Sequence, residues 1–214
     1  DEFNRKNCSD NIKLFNSGHI PGSTSVLFDY EDRLFYTGDF SIRDRMHLNG
    51  LEPPSCDKLI IESTYGHPRY KFPNQDVLEN NIVEWFSSMR GEKVVCDAYS
   101  LGRAQEIEIL ARRAGFSDIL VNKATKDMNN IISDDNYSFS TELYNNDKIS
   151  DDNVVISSNK NHIEKFSEVD NVSVVKFTGW ASDNRYNQSN LYDKSFTLSD
   201  HADFNELISV VEKT

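Results

Sequence analysis

The stretch KVVCDAYSLGRAQEIEILARRA, residues 93–114, carries the reading of the fold. Its first six residues, Lys93 to Ala98, form a short apolar run of strand type, and Gly102 then breaks the pattern. From there Ala104, Ile107, Leu110, Ala111 and Ala114 recur at helical spacing and share one face. A strand running through a tight turn into an amphipathic helix is the unit from which α/β sheets are built. Similar apolar runs stand downstream at 118–122, 153–157, 172–177 and 194–198, and upstream at 58–62. Helical stripes fall at Ile82, Trp85, Phe86 and Met89, and again at Phe204, Leu207, Ile208 and Val211. Asp203 and Glu206 form a capping box in front of the last stripe. From residue 58 onward the alternation predicts parallel pairing, whereas the close succession of runs at 23–29 and 33–38 predicts an antiparallel hairpin. The stretch 123–153, rich in Asn, Asp and Ser, reads as an ordered surface excursion with a short helix, with a mobile connection as the alternative.

The chain has 214 residues, enough for one large or two small domains. Its longest apolar runs, such as Leu59–Ile61 and Val154–Ile156, fall far short of the roughly 20 residues of a bilayer-spanning helix, so no membrane role is expected. No signal peptide is visible, and the start at Asp1 in place of Met suggests a piece of a longer protein. Cys8, Cys56 and Cys96 are odd in number and lack a C-x-x-C pair, which points to a reducing cytoplasm. The net charge of −12 excludes a broad basic surface for gripping nucleic acid. Half of that excess lies in 114–172, whereas 69–113 is neutral, so a local site is not excluded.

Chemistry-bearing residues sit at strand ends or in glycine-bearing loops: His19 in SGHIPG, Asp39 in TGD, Glu62 in IIESTY and His201 in LSDHAD. The ends of strands in α/β folds converge on one edge, where ligand sites form. Histidine with carboxylate is also a zinc-binding set. Each has an ordinary reading as well: a surface histidine, a turn aspartate after glycine, and a helix cap at Asp203. Ser100, Gly102 and Arg103 lie at a helix start, where backbone N–H groups and a guanidinium attract phosphate; an ordinary strand-to-helix turn is the equal alternative. Arg43 and Arg45 read as surface charge, and Asp97 carries no specific signal.

Taken in order, the words SGHIPGS, TGDFS, ESTYG, LGRAQE and SDHADF resemble the metallo-β-lactamase nucleases of the β-CASP group. The resemblance runs from about residue 13 to 212, and GWAS at 179–182 with FTLSDHADF at 196–204 looks nearest to the branch of ligase-associated exonucleases and archaeal mRNA 3′-end processing factors. It implies an incomplete αββα metallo-β-lactamase sandwich with an inserted β-CASP-type α/β cap: residues 1–68 and 173–214 in the hydrolase domain, 69–172 in the cap, and the substrate between them. It implies metal ligation by His19, Asp39 and His201, with Asp39 bridging two zinc ions, and catalytic roles for Glu62, Asp39 and His201. Asp200 and Asp203 would then be partners of His201 or a helix cap. The reaction implied is zinc-dependent phosphodiester hydrolysis in DNA or RNA, exonucleolytic by likeness, with DNA ligase or helicase as partner proteins.

Two features depart from that pattern. The H-x-H-x-D-H motif that supplies four zinc ligands is absent, because no two of His19, His47, His67, His162 and His201 lie close enough. The site implied for this chain is therefore partial, and the chain alone is expected to be inactive. No histidine falls between His162 and His201 to serve as general acid, which leaves Arg185 and Tyr186 as the nearby groups. A non-catalytic binding module and a small-ester metallohydrolase remain the alternative readings.

Overall fold

The computed structural model describes residues 10–133, 138–144, 151–186 and 189–214. Cys8 and parts of the 123–153 excursion lie outside them. The chain divides into two compact units, one formed by Asp1–Phe72 with Asp200–Thr214 and the other by Pro73–Ser199.

The first unit is built on a four-stranded sheet in the order β1 (Ile12–Asn16), β2 (Thr24–Phe28), β3 (Leu34–Tyr36), β4 (Lys58–Ile60). β1, β2 and β3 pair antiparallel in succession, as the hairpin pattern predicts, while β3 and β4 run parallel. Parallel neighbours cannot be joined by a tight turn, so a long crossover spans 37–57. One face of the sheet buries Leu27 and Phe35 together with Phe40, Leu51 and Leu207 and Val210 of the last helix, α5 (Phe204–Lys213). On the opposite face Leu14, Val26, Tyr36 and Ile60 stand side by side in register, with Tyr36 and Ile60 respectively 47% and 50% exposed.

The second unit is a six-stranded, wholly parallel sheet. Its elements in chain order are α1 (Gln75–Ser88), β5 (Lys93–Asp97), α2 (Arg103–Arg113), β6 (Ile119–Val121), α3 (Lys123–Ile132), β7 (Glu142–Leu143), β8 (Val154–Ser157), α4 (Lys160–Ser167), β9 (Val172–Phe177) and β10 (Lys194–Phe196). The spatial order is β10-β9-β5-β8-β6-β7. Central strands of such a sheet are covered on both faces and read as continuous apolar runs. Val95, Val155 and Val174 accordingly pack with Ile163 and Phe166 of α4. Phe86 of α1 stacks on Phe177, which stacks on Phe196.

The mixed α/β class is as expected, and so are the strand–turn–helix unit at 93–113 and the short helix in the excursion. The return to the first unit comes at Asp200, not at 173, because Val172–Phe177 pairs along its length with β5 and carries β10 on its other edge. No helix among the described residues is long and apolar enough to cross a membrane.

Candidate metal centre

The site lies wholly within the first unit, on the loops that leave its strands. The loop after β1 closes on itself: Ser17 N–H donates to the Ser23 carbonyl at 3.3 Å, and Ile20 N–H donates to the Ser23 hydroxyl at 3.1 Å. Gly18 takes φ +70°, and a Cβ there would sit 2.3 Å from the Ser41 carbonyl oxygen, so only glycine lets this loop press against the crossover. His19 projects from the turn. β3 ends at Tyr36, and Gly38, also left-handed at φ +57°, turns the chain so that Asp39 stands at the rim with 58% of its side chain exposed.

Glu62 follows β4 and is almost fully enclosed. Its Oε1 accepts from Phe40 N–H at 3.0 Å and its Oε2 from Thr64 N–H at 3.3 Å. His201 comes from the turn before α5 and places Nδ1 at 3.0 and 3.1 Å from the two Glu62 oxygens. Burial by itself would raise the Glu62 pKa, but the hydrogen bonds from His201, Thr64 and Phe40 outweigh it and hold the carboxyl below its ordinary value. Burial would likewise depress the His201 pKa, and here the Glu62 hydrogen bond and charge, with the charges of Asp200 and Asp39, raise it.

These contacts fix both imidazoles in one orientation. The His19 Nδ1 lies 3.1 Å from the Asp200 carbonyl oxygen, and a carbonyl only accepts, so Nδ1 carries the proton and the Nε2 lone pair faces outward. An ionised Glu62 imposes the same tautomer on His201. The two rings lie 4.6 Å apart, and His19 Nε2 is 4.0 Å from Asp39 Oδ2. One ligand atom from each of His19, Asp39 and His201 falls within 4.8 Å of the others. Two outward-facing imidazole nitrogens and an exposed carboxylate form a donor set that suits zinc, and the carboxylate behind His201 is the customary support of a ligating histidine.

The other residues singled out by the sequence fall elsewhere. Asp203 caps α5, accepting from Glu206 N–H at 2.9 Å and Phe72 N–H at 2.8 Å, while Asp200 reaches His19 through its main chain. Ser100, Gly102 and Arg103 belong to the second unit. Arg103 is only 5% exposed and donates to the Phe177 carbonyl at 2.9 Å, and the Gly102 N–H is taken by Gln105 Oε1 at 2.6 Å. The expected phosphate fork of Arg103 is thus replaced by an internal strut between α2 and β9, because the buried carbonyl needs its donor. Arg185 is exposed and held by Asp183 at 3.2 Å, also in the second unit.

Two residues read as surface charge from the sequence matter here. Arg43 and Arg45 are not surface charges: Arg45 is 1% exposed and Arg43 is mostly enclosed. Their one recognisable signal is position, within a short loop between Asp39 and Gly50 that the glycine pattern ties to the His19 turn.

No protein-family profile matches the chain. A probable DNA ligase of Opitutus terrae is 27% identical over 206 residues, 94% of this chain and 20% of its own length. An RNase J-like protein of Methanocaldococcus jannaschii is 33% identical over 115 residues, 50% of this chain and 27% of its own. Subunit 3 of the cleavage and polyadenylation specificity factor of Dictyostelium discoideum is 35% identical over 107 residues, 46% of this chain and 13% of its own. Relatives named as an RNase J-like protein and a cleavage and polyadenylation specificity factor subunit are those that the β-CASP resemblance leads one to expect. The resemblance drawn from the five sequence words is therefore upheld, at modest identity. The chain spans about a quarter or less of the length of these relatives.

Proposed function

We propose that the chain is part of a zinc-dependent nuclease that hydrolyses phosphodiester bonds in DNA or RNA as an exonuclease. The observation that carries this reading is the convergence of His19 Nε2, Asp39 and His201 Nε2, with both histidine tautomers fixed from behind. In this reading His19, His201 and Asp39 would hold the zinc. The chemistry supplied when the metal is bound is Lewis acidity toward a phosphate oxygen and toward water.

The residues' own contributions follow from their environment. Glu62, enclosed and ionised, keeps the His201 Nδ1 proton in place and compensates positive charge on the ring. His19 is held by the Asp200 carbonyl and presents the same nitrogen without a counter-charge of its own. Asp39, exposed at the rim, is the most solvent-open of the three groups. We assign contact with the polynucleotide in the second unit to Ser100, with the internally bonded Gly102 and the buried Arg103 bracing the turn that carries it. We also assign the four-stranded sheet to one half of an αββα sandwich, which its in-register apolar second face supports. The cytoplasm and a DNA ligase or helicase partner belong to the same reading by likeness alone.

The test is hydrolysis of end-labelled DNA and RNA by the protein expressed from its whole reading frame, with zinc content measured alongside. His201→Ala and Asp39→Ala are expected to lose bound zinc and at least about a hundredfold of the hydrolysis rate, the scale of a lost electrostatic contribution at a reacting centre. Full activity in both variants, or a wild-type protein that takes up no zinc, sinks the assignment.

A further inference from the structure

The two buried arginines converge on the main chain of the two histidines. Arg45 Nη2 donates to the carbonyl oxygens of Gly18 and His19 at 2.5 and 2.6 Å. Arg43 Nη2 donates to the carbonyl oxygen of His201 at 2.7 Å, while its Nε pairs with Glu206 at 3.1 Å and its guanidinium lies over the Phe72 ring at 5.0 Å. Both come from the crossover that also carries Asp39, so one loop reaches all three members of the candidate centre.

That loop is itself held. Ser41 N–H donates to the Ser17 carbonyl at 3.0 Å, and Leu51 N–H donates to the Ser41 carbonyl at 2.7 Å. The Asn16 side chain donates to the Asn49 carbonyl at 2.8 Å. A Cβ on Gly50 would meet the Ile42 carbonyl oxygen at 2.2 Å, which keeps the two strands of the loop in direct backbone contact. Enclosing a guanidinium is costly, and spending two of them on carbonyls of ligand residues ties the placement of those residues to the loop.

We propose that Arg43 and Arg45 are positioning residues of the metal centre, Arg45 through the His19 carbonyl and Arg43 through the His201 carbonyl, so that the 41–51 loop sets the separation of the two histidines. The inference rests on the metal-binding reading of His19, Asp39 and His201 given above. It assigns each arginine to one histidine, which a general stabilising role does not.

The experiment compares, in the protein expressed from its whole reading frame, wild type with Arg43→Gln, Arg45→Gln, Arg43→Lys and Arg45→Lys. Cobalt(II) is titrated into each protein and followed by its visible absorption, and imidazole nitrogen–proton NMR spectra are recorded on the metal-free proteins. The expected result is that each Gln variant binds cobalt about tenfold or more weakly, the usual scale for loss of a group that orients a ligand, and that each Lys variant recovers part of the loss. In the metal-free spectra Arg43→Gln shifts the His201 resonances and spares His19, and Arg45→Gln does the reverse. Folded Gln variants that bind cobalt with wild-type affinity and spectrum, or that shift both histidines alike, overturn the proposal. Should Arg45→Gln fail to fold by circular dichroism, the Arg43 pair, with its guanidinium nearer solvent, decides the matter. Failure of wild type to bind cobalt overturns the metal reading instead, and the imidazole shifts still judge the clamp.

Discussion

His47 sits in the same loop as the two arginines and shows what the enclosure of that loop does to a titrating group. Burial, and secondarily the charge of Arg45, push its pKa down from 6.5 to about 4. A depressed folded value means that the unfolded chain binds the proton first as pH falls. The contribution of neutral His47 is therefore whole above about pH 6.5 and is lost progressively between 6.5 and 4. At about 1.4 kcal/mol per unit, the loss reaches at most about 3.5 kcal/mol. Urea denaturation at pH 7 and pH 4.5 is expected to show a smaller acid loss in His47→Gln than in wild type; equal losses would show that His47 is not the group responsible. His201 has the opposite sign, its raised folded value adding stability at low pH that fades as pH rises through it. The four residues at strand ends and glycine turns were legible because those positions converge by construction in such folds. Arg43 and Arg45 were not, because a sequence shows a charge but not the carbonyls waiting for it.

The last helix shows how far local signals reach at the scale of an element. The box of Asp203 and Glu206 is visible in the sequence and is made in full: Glu206 N–H donates to Asp203 Oδ1 at 2.9 Å, and Asp203 N–H donates to Glu206 Oε2 at 2.8 Å. The structure adds that the second Asp203 oxygen accepts from Phe72 N–H and that Glu206 also pairs with Arg43, so the cap of α5 is joined to the loop that reaches His201. Asp203→Ala is expected to cost about 2 kcal/mol in equilibrium unfolding, the upper end of the range for a lost N-cap, because a further N–H is orphaned. A cost below about 0.5 kcal/mol would mean that water replaces both contacts. Strand ends were less legible than helix starts. The runs at 33–38 and 58–62 pair only over Leu34–Tyr36 and Lys58–Ile60, since the chain leaves the ladder just where it delivers Asp39 and Glu62. β1 went unread because Ile12–Asn16 mixes Lys and Asn with its apolar residues. β7 escaped because it has two residues, both exposed.

Over the whole molecule, the net charge of −12 looks at first like a barrier to a polyanionic substrate, and three of the arginines, Arg43, Arg45 and Arg103, are enclosed where they cannot meet one. Arg43, Arg45 and Arg103 all serve main-chain carbonyls, so in the proposed reading affinity for nucleic acid would come from the candidate metal centre and from exposed side chains, not from a basic face. The architecture carries a second imbalance. The parallel sheet of the second unit has α4 against one set of its side chains and the Phe86, Phe177 and Phe196 stack on another, whereas the sheet of the first unit buries one face under α5 and keeps apolar residues in register on the other. The alternation rule for a one-sided antiparallel sheet calls for polar residues there. Leu14, Val26, Tyr36 and Ile60 are the opposite, which is the pattern of a sheet covered on both faces. Tyr36, on an interior strand of that row, gives the direct test. If a second sheet covers it in the protein expressed from its whole reading frame, Tyr36→Lys buries an unpaired ammonium and costs several kcal/mol in thermal or urea unfolding. If the face meets water, the same substitution changes stability by no more than about 0.5 kcal/mol, and the sandwich assignment falls.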